Sequence, residues 1–186
     1  MILAQQKHPS LSPVEERRVG AIAELAARVS QACGEAPLAM KVQVKSALAR
    51  AATEPGLLSA QQRQPETGCY ARHVLYADPA GRFTVIAIVW SPGQFSPPHA
   101  HHTWCSYVVY EGELQETEFA WNGAALRAEP QQTETRGTGY SCYAEAGLDQ
   151  IHRLGNSSTR PAISIHVYGV ARDHIATRVN RLVEIA

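Results

Sequence analysis

Ser96-Pro97-Pro98-His99-Ala100-His101-His102-Thr103-Trp104-Cys105 is the stretch that decides how this chain reads. Along an extended strand successive side chains point to opposite faces, so His99 and His101 share one face and His102 takes the other. Two imidazoles on one face, a single residue apart, can chelate one divalent ion. A bare His-x-His is more often a pair of surface histidines than a metal site, but its setting here is informative. Five residues separate Gly93 from His99, Pro97-Pro98 stiffens the approach, and six residues separate Cys105 from Gly112.

Outward from that stretch the texture is one of short strands and turns, beginning near Tyr70. Arg82 to Trp90 is a β-rich run, Asn122-Gly123 is a hairpin turn signal, and Ile163 to Tyr168 is a further strand. Runs of this kind predict an antiparallel sandwich or barrel. The first sixty residues predict helices instead. Ser12-Pro13-Val14-Glu15 joins an N-cap Ser to a Pro at the first helical position and a Glu three residues after the cap. The stripe Ile22, Leu25, Val29, Cys33 follows, and Gly34 ends it. A second helix is predicted from Pro37 to about Thr53, stopped by Glu54-Pro55-Gly56. Without repeats or linkers, 1–186 reads as one domain: a helical cap over 1–60 and a metal-binding barrel over about 69–170.

Bulk properties narrow the function classes. The chain has 186 residues, 45% of them hydrophobic and 18% charged, with 17 basic residues against 17 acidic. No net field favours nucleic acid or a membrane surface. Apolar runs such as Val85 to Trp90 are too short to span a bilayer. Met1 to Pro9 lacks the charged-then-apolar pattern of a signal peptide. Cys33, Cys69, Cys105 and Cys142 form no CxxC pair, which argues against a zinc ribbon and against a secreted disulfide framework. The expected compartment is therefore the reducing cytoplasm, and the expected state a monomer.

The spacing around His99 and His101 resembles the first cupin motif, with Cys105 where a Glu ligand is usual. Gly139, Gly147, His152 and Asn156 resemble the second motif, with a longer Gly147 to His152 gap. That resemblance implies a mainly β fold, a cupin barrel of the double-stranded β-helix, jelly-roll type, with the N-terminal helical segment attached. It also makes His152 the third ligand. Three neutral imidazoles leave the charge of a divalent metal uncompensated, so the site should attract an anionic ligand such as a thiolate. By donor type alone zinc, nickel or manganese suits the set as well as iron.

The match becomes more specific in Ser96-Pro97-Pro98-His99-Ala100-His101 through Cys105 to Gly112-Glu113-Leu114-Gln115-Glu116-Thr117. Val89-Trp90-Ser91-Pro92-Gly93, Ile151-His152-Arg153 and Ser164-Ile165-His166-Val167-Tyr168 support it. Together they resemble cysteine dioxygenase and related thiol dioxygenases over about residues 69 to 170. The resemblance implies that His99, His101 and His152 bind ferrous iron, Fe(2+). Tyr168 would be the active-site tyrosine, supported by His166 and Ser164. Cys105 matches the cysteine that in animal members can form a thioether bond to this tyrosine. Tyr70 and Arg72 match residues lining the substrate site, with Arg72 holding a carboxylate. A guanidinium inside a barrel is costly unless an anion pairs with it, which also favours an anionic substrate.

There are departures from the family pattern. Ala100 replaces a common acidic residue, and the His101 to Cys105 and His152 to His166 intervals are each one residue shorter than in animal enzymes. These changes resemble bacterial members, some of which oxidise 3-mercaptopropionate; Arg72, where that type usually has Gln, points back to cysteine. The expected function is a non-haem iron(II) thiol dioxygenase converting a small carboxylate-bearing thiol, foremost L-cysteine, and O2 to the sulfinic acid. The alternatives are a 3-mercaptopropionate or mercaptosuccinate dioxygenase and a non-catalytic metal-binding cupin sensor. Tyr70, Tyr168 and Cys105 also fit ordinary packing roles. Trp90 and Trp104 read as packing residues, and His73, His102 and His174 as structural or surface residues.

Overall fold

The computed structural model describes residues 11–186. The readings of Met1 to Pro9 and of the first ten residues of the helical cap lie outside them. Helix α1 (Pro13–Ala32) starts where the sequence indicates: the Ser12 side chain accepts a hydrogen bond from the Glu15 backbone N–H at 3.3 Å. Helix α2 (Pro37–Ala51) also opens on Pro and ends two residues before the expected Thr53, with Ala52 as its C-cap. Leu25 and Val29 of α1 and Val44 and Leu48 of α2 are buried in one shared core.

Ten strands follow: β1 (Ala71–Ala77), β2 (Thr84–Trp90), β3 (His99–His101), β4 (Cys105–Glu111), β5 (Glu113–Asn122), β6 (Arg127–Gly137), β7 (Ser141–Ala144), β8 (Gly147–Gly155), β9 (Ala162–Tyr168) and β10 (Asn180–Leu182). They form two five-stranded sheets, ordered β1-β2-β9-β4-β7 and β10-β3-β8-β5-β6, and every strand pair within them is antiparallel. This is the mainly β, double-stranded β-helix expected, with the helices attached at its N-terminal side.

Strand alternation explains where the helices go. On β2, Val85, Ala87 and Val89 belong to the core shared with the helices, whereas Ile86, Ile88 and Trp90 belong to the core between the sheets. On β9, Ile163, Ile165 and Val167 face the helices, leaving Ser164, His166 and Tyr168 for the interior. Both strands are therefore buried along their whole length. That double burial is why they read as near-continuous apolar runs. Removing an anchor of the helix contact such as Leu48, which is fully buried, should cost about 2–5 kcal/mol.

Two turns set the strand connections. Gly112 alone joins β4 to β5 at φ +78°, and a Cβ there would lie 3.2 Å from the Ala162 backbone, so both conformation and space call for glycine. The Asn122-Gly123 signal does mark a hairpin, but its loop runs from Gly123 to Leu126. The Asn122 side-chain oxygen accepts the Ala124 and Ala125 N–H groups at 3.0 Å each, and Leu126 takes the positive φ of 53°.

Candidate metal centre

The three sequence-distant histidines meet because β3 lies against β8: His99 pairs with His152, and His101 with Gly147 across a register irregularity. One ligand atom from each of His99, His101 and His152 lies within 4.8 Å of the others. Two rings are oriented from behind. His99 Nδ1 donates to the Pro97 carbonyl at 2.8 Å, and His152 Nδ1 donates to Glu116 Oε1 at 2.7 Å. A proton on Nδ1 leaves the Nε2 lone pair free for a metal. His101 Nδ1 is buried without a hydrogen-bond partner among the described residues, while its Nε2 lies 3.3 Å from Cys105 Sγ.

Electrostatics keep His99 and His101 neutral. Burial, then the neighbouring His152, pulls His99 down to about 3 and His101 down to about 2. Neutral imidazoles are the form that binds metal, so these two donors need no deprotonation at neutral pH. The cluster contains no carboxylate or thiol. Three clustered nitrogen donors, two of them on tethered rings, fit a divalent metal ion that accepts imidazole.

The opposite sheet brings a chain of neutral groups to the same space. Trp90 Nε1 donates to Ser164 Oγ at 2.9 Å, Ser164 Oγ lies 2.7 Å from His166 Nε2, and His166 Nδ1 lies 3.1 Å from the Tyr168 hydroxyl. Burial pulls His166 down to about 3 and pushes the Tyr168 hydroxyl well up, so neither is charged at neutral pH. Cys105 stands directly opposite Tyr168 in the β4–β9 register, and burial pushes its thiol up as well. Trp90 thus does more than pack. Trp104 stacks on Tyr143, with ring centroids 5.9 Å apart, and lies over Gly169, where a Cβ would approach its indole to 2.2 Å.

The pocket between the two groups is tight, about 20 Å³ of free space, close to one water. Tyr70 and Arg72 line it together with Asn180, the β10 residue paired with His101. The buried-guanidinium expectation fails here: Arg72 is exposed. Its Nη2 donates to the Tyr70 hydroxyl at 2.8 Å and its guanidinium lies 4.9 Å from the Tyr70 ring centroid. Arg72 makes no ion pair among the described residues, so its charge is available at the pocket mouth.

A larger cavity of about 290 Å³ lies on the other side of His101 and His152, lined also by Glu116, Tyr140, Cys142 and Ile151. Sequence reasoning missed Glu116 and Arg136. Glu116 Oε2 accepts from Arg136 Nε at 2.8 Å. Burial alone would raise the Glu116 carboxyl, but hydrogen bonds from His152 and Arg136 outweigh it and hold the group below its ordinary value. A signal was present: Leu114, Glu116 and Glu118 alternate on β5, so Glu116 shares the face of buried Leu114. His73, His102 and His174 stay outside both cavities. The four cysteines are free, and no helix among the described residues is long and apolar enough to cross a membrane.

The solved structures this chain is similar to include a conserved protein with a double-stranded β-helix domain from Klebsiella pneumoniae subsp. pneumoniae MGH 78578. The two are 23% identical, covering 64% of this chain and 88% of that one, with a TM-score of 0.48. A protein from Thermus thermophilus is 19% identical over 61% of this chain and 96% of its own, with a TM-score of 0.47. Recombinant oxalate oxidase in complex with glycolate is 16% identical over 61% of this chain and 59% of its own, with a TM-score of 0.45. At scores and identities this low neither activity nor ligand carries over from these proteins. The family model of cysteine dioxygenase type I is another matter, for it matches residues 64–177, more than half of the chain and every strand that lines the centre except β10. The chain belongs to the cysteine dioxygenase type I family.

Proposed function

We propose that this chain is a non-haem iron(II) thiol dioxygenase that combines L-cysteine, or a close carboxylate-bearing thiol, with O2 to form the sulfinic acid. The observation that carries the reading is the meeting of the three clustered imidazoles with the Ser164-His166-Tyr168 chain in a pocket whose mouth holds an unpaired Arg72. His99, His101 and His152 would hold the metal. Ferrous iron there supplies the electron chemistry that lets dioxygen react with a thiolate.

The chain's own residues orient the reactants. Trp90 can only donate, and the buried Ser164 hydroxyl has no acceptor other than His166 Nε2 among the described residues. The chain therefore runs Trp90 to Ser164 to His166 to Tyr168. Tyr168 then accepts from His166 Nδ1–H and keeps its own hydroxyl proton to donate into the pocket. Arg72 turns from Tyr70 to the substrate carboxylate, a charge-assisted contact that fixes orientation. Cys105, opposite Tyr168, is the partner for a thioether bond to that tyrosine, formed with loss of two hydrogens to dioxygen.

The reaction RSH + O2 → RSO2H balances without another reductant. Iron-loaded protein given L-cysteine, 3-mercaptopropionate, mercaptosuccinate and cysteamine, with oxygen uptake and sulfinate mass followed together, tests the reading. L-cysteine should give the highest kcat/KM. A higher value for 3-mercaptopropionate or mercaptosuccinate would move the substrate assignment. Absence of sulfinate from all four would leave a metal-binding sensor.

A further inference from the structure

We propose that Glu116, held by Arg136, is a positioning residue for the metal centre: it fixes His152 with Nε2 presented to the metal and supplies from behind the ring the negative charge that the ligands lack. This rests on the reading of His99, His101 and His152 as metal ligands. The three side chains involved cross three neighbouring strands, Arg136 on β6, Glu116 on β5 and His152 on β8. Each contact is diagonal, since Glu118 is the residue paired with His152, and Leu114 the one paired with Arg136.

The geometry is that of a built support. Glu116 is 4% exposed, with Oε1 2.7 Å from His152 Nδ1 and Oε2 2.8 Å from Arg136 Nε. Arg136 is itself anchored: Nη2 donates to Glu118 Oε1 at 2.9 Å, Nη1 donates to Glu134, and the guanidinium lies 4.4 Å from the Tyr140 ring centroid. A carboxylate clamped at one oxygen can only turn its other oxygen to His152, so ring angle and tautomer are both set. The three imidazoles are then unequal. His152 is backed by a carboxylate, His99 by a neutral carbonyl, and His101 by nothing among the described residues. A metal-binding imidazole whose other nitrogen donates to a carboxylate is a stronger base and a better oriented ligand. Thus the carboxylate absent from the ligand set acts one hydrogen bond further out.

Cobalt(II) alone is the probe: its affinity for metal-free protein is measured against a competing chelator, and its visible spectrum is recorded. Glu116→Ala should weaken cobalt binding by about 10- to 100-fold and shift the spectrum. Glu116→Gln keeps an acceptor for His152 Nδ1–H without the charge, so it should recover part of that affinity yet still show a shifted spectrum. Thermal melts of the metal-free variants control for folding, and if Glu116→Ala does not fold the Gln variant decides alone. Parent-like affinity and spectrum in folded Glu116→Gln, or in folded Glu116→Ala, would overturn the proposal. A parent protein that takes up no cobalt, or a His152→Ala variant that binds it equally well, would instead overturn the metal-ligand reading beneath it.

Discussion

The sheet β1-β2-β9-β4-β7 is covered by the helices on its outer face, whereas in β10-β3-β8-β5-β6 the outer strand β6 is largely open to water. The chemistry divides along the same line. The covered sheet contributes the uncharged chain of Trp90, Ser164, His166 and Tyr168, and the open sheet contributes all three imidazoles together with Glu116 and Arg136. A charged pair at the bottom of a doubly buried sheet would be desolvated on every side. From β6, Arg136 reaches both buried Glu116 and the half-exposed Glu118 and Glu134, so charge can be brought behind a ligand at tolerable cost. On the proposed function this difference separates metal holding from substrate handling, and substitutions should respect it.

The largest effect should come from acid on the metal-free protein. His99 and His101 of the open sheet and His166 of the covered sheet are depressed to about 3, about 2 and about 3, mainly by burial. Because the folded values lie below the ordinary one of about 6.5, the unfolded chain takes up protons first. Stability is therefore full above about pH 6.5 and falls as pH drops toward the folded values. Between about pH 7.5 and about pH 5.5 the three together should remove ~4 kcal/mol, read by urea unfolding. His166→Gln should remove about a third of that slope, the covered sheet's share; an unchanged slope would mean that His166 does not stay neutral.

Next in size is the contrast between ligand and hydroxyl. His152→Ala should lower metal affinity by roughly 100-fold or more, or ~3 kcal/mol. Tyr168→Phe should keep parent-like metal content and lose turnover instead. Metal analysis and steady-state rates on both variants read the split. Stoichiometric metal in His152→Ala would break the division between the sheets at its strongest point.

Arg72 belongs to the covered sheet's end of the pocket but to its exposed mouth. Exposure limits the carboxylate contact to about 1–2 kcal/mol, so Arg72→Gln should raise KM for a carboxylate-bearing thiol roughly 5- to 30-fold. Cysteamine, without a carboxylate, should change much less. Equal losses for both thiols would make Arg72 a support for Tyr70 instead. The smallest effect is expected for Trp90→Phe, which removes one donor from a buried chain and costs about 1 kcal/mol. Because the direction of that chain is then no longer fixed, kcat should fall a few-fold while bound iron stays constant.

How much of this was legible in the sequence follows from the same physics. His99 and His101, and Ser164, His166 and Tyr168, could be grouped because strand alternation is local and has period two. The helix start at Ser12 was legible for a similar reason, its cap being written in adjacent residues. Glu116 lies within the stretch around the first motif, but its role is not legible there, because its contact with His152 depends on the β5–β8 register, which nothing local fixes. Arg136 lies on a strand reading Arg-Ala-Glu-Pro-Gln-Gln-Thr-Glu-Thr-Arg-Gly, where it looks like one more solvated charge. The exposure of Arg72 is not legible in the sequence, because a site-facing position near a barrel's rim and one in its interior have the same sequence pattern.

The central claim is that this centre puts both atoms of dioxygen onto the sulfur of a small thiol. The direct test is to turn over L-cysteine with iron-loaded protein under heavy-isotope dioxygen and weigh the product. The account predicts a sulfinate carrying two heavy oxygens, absent when His152→Ala replaces the parent. A product with one heavy oxygen, or only the disulfide, would contradict it.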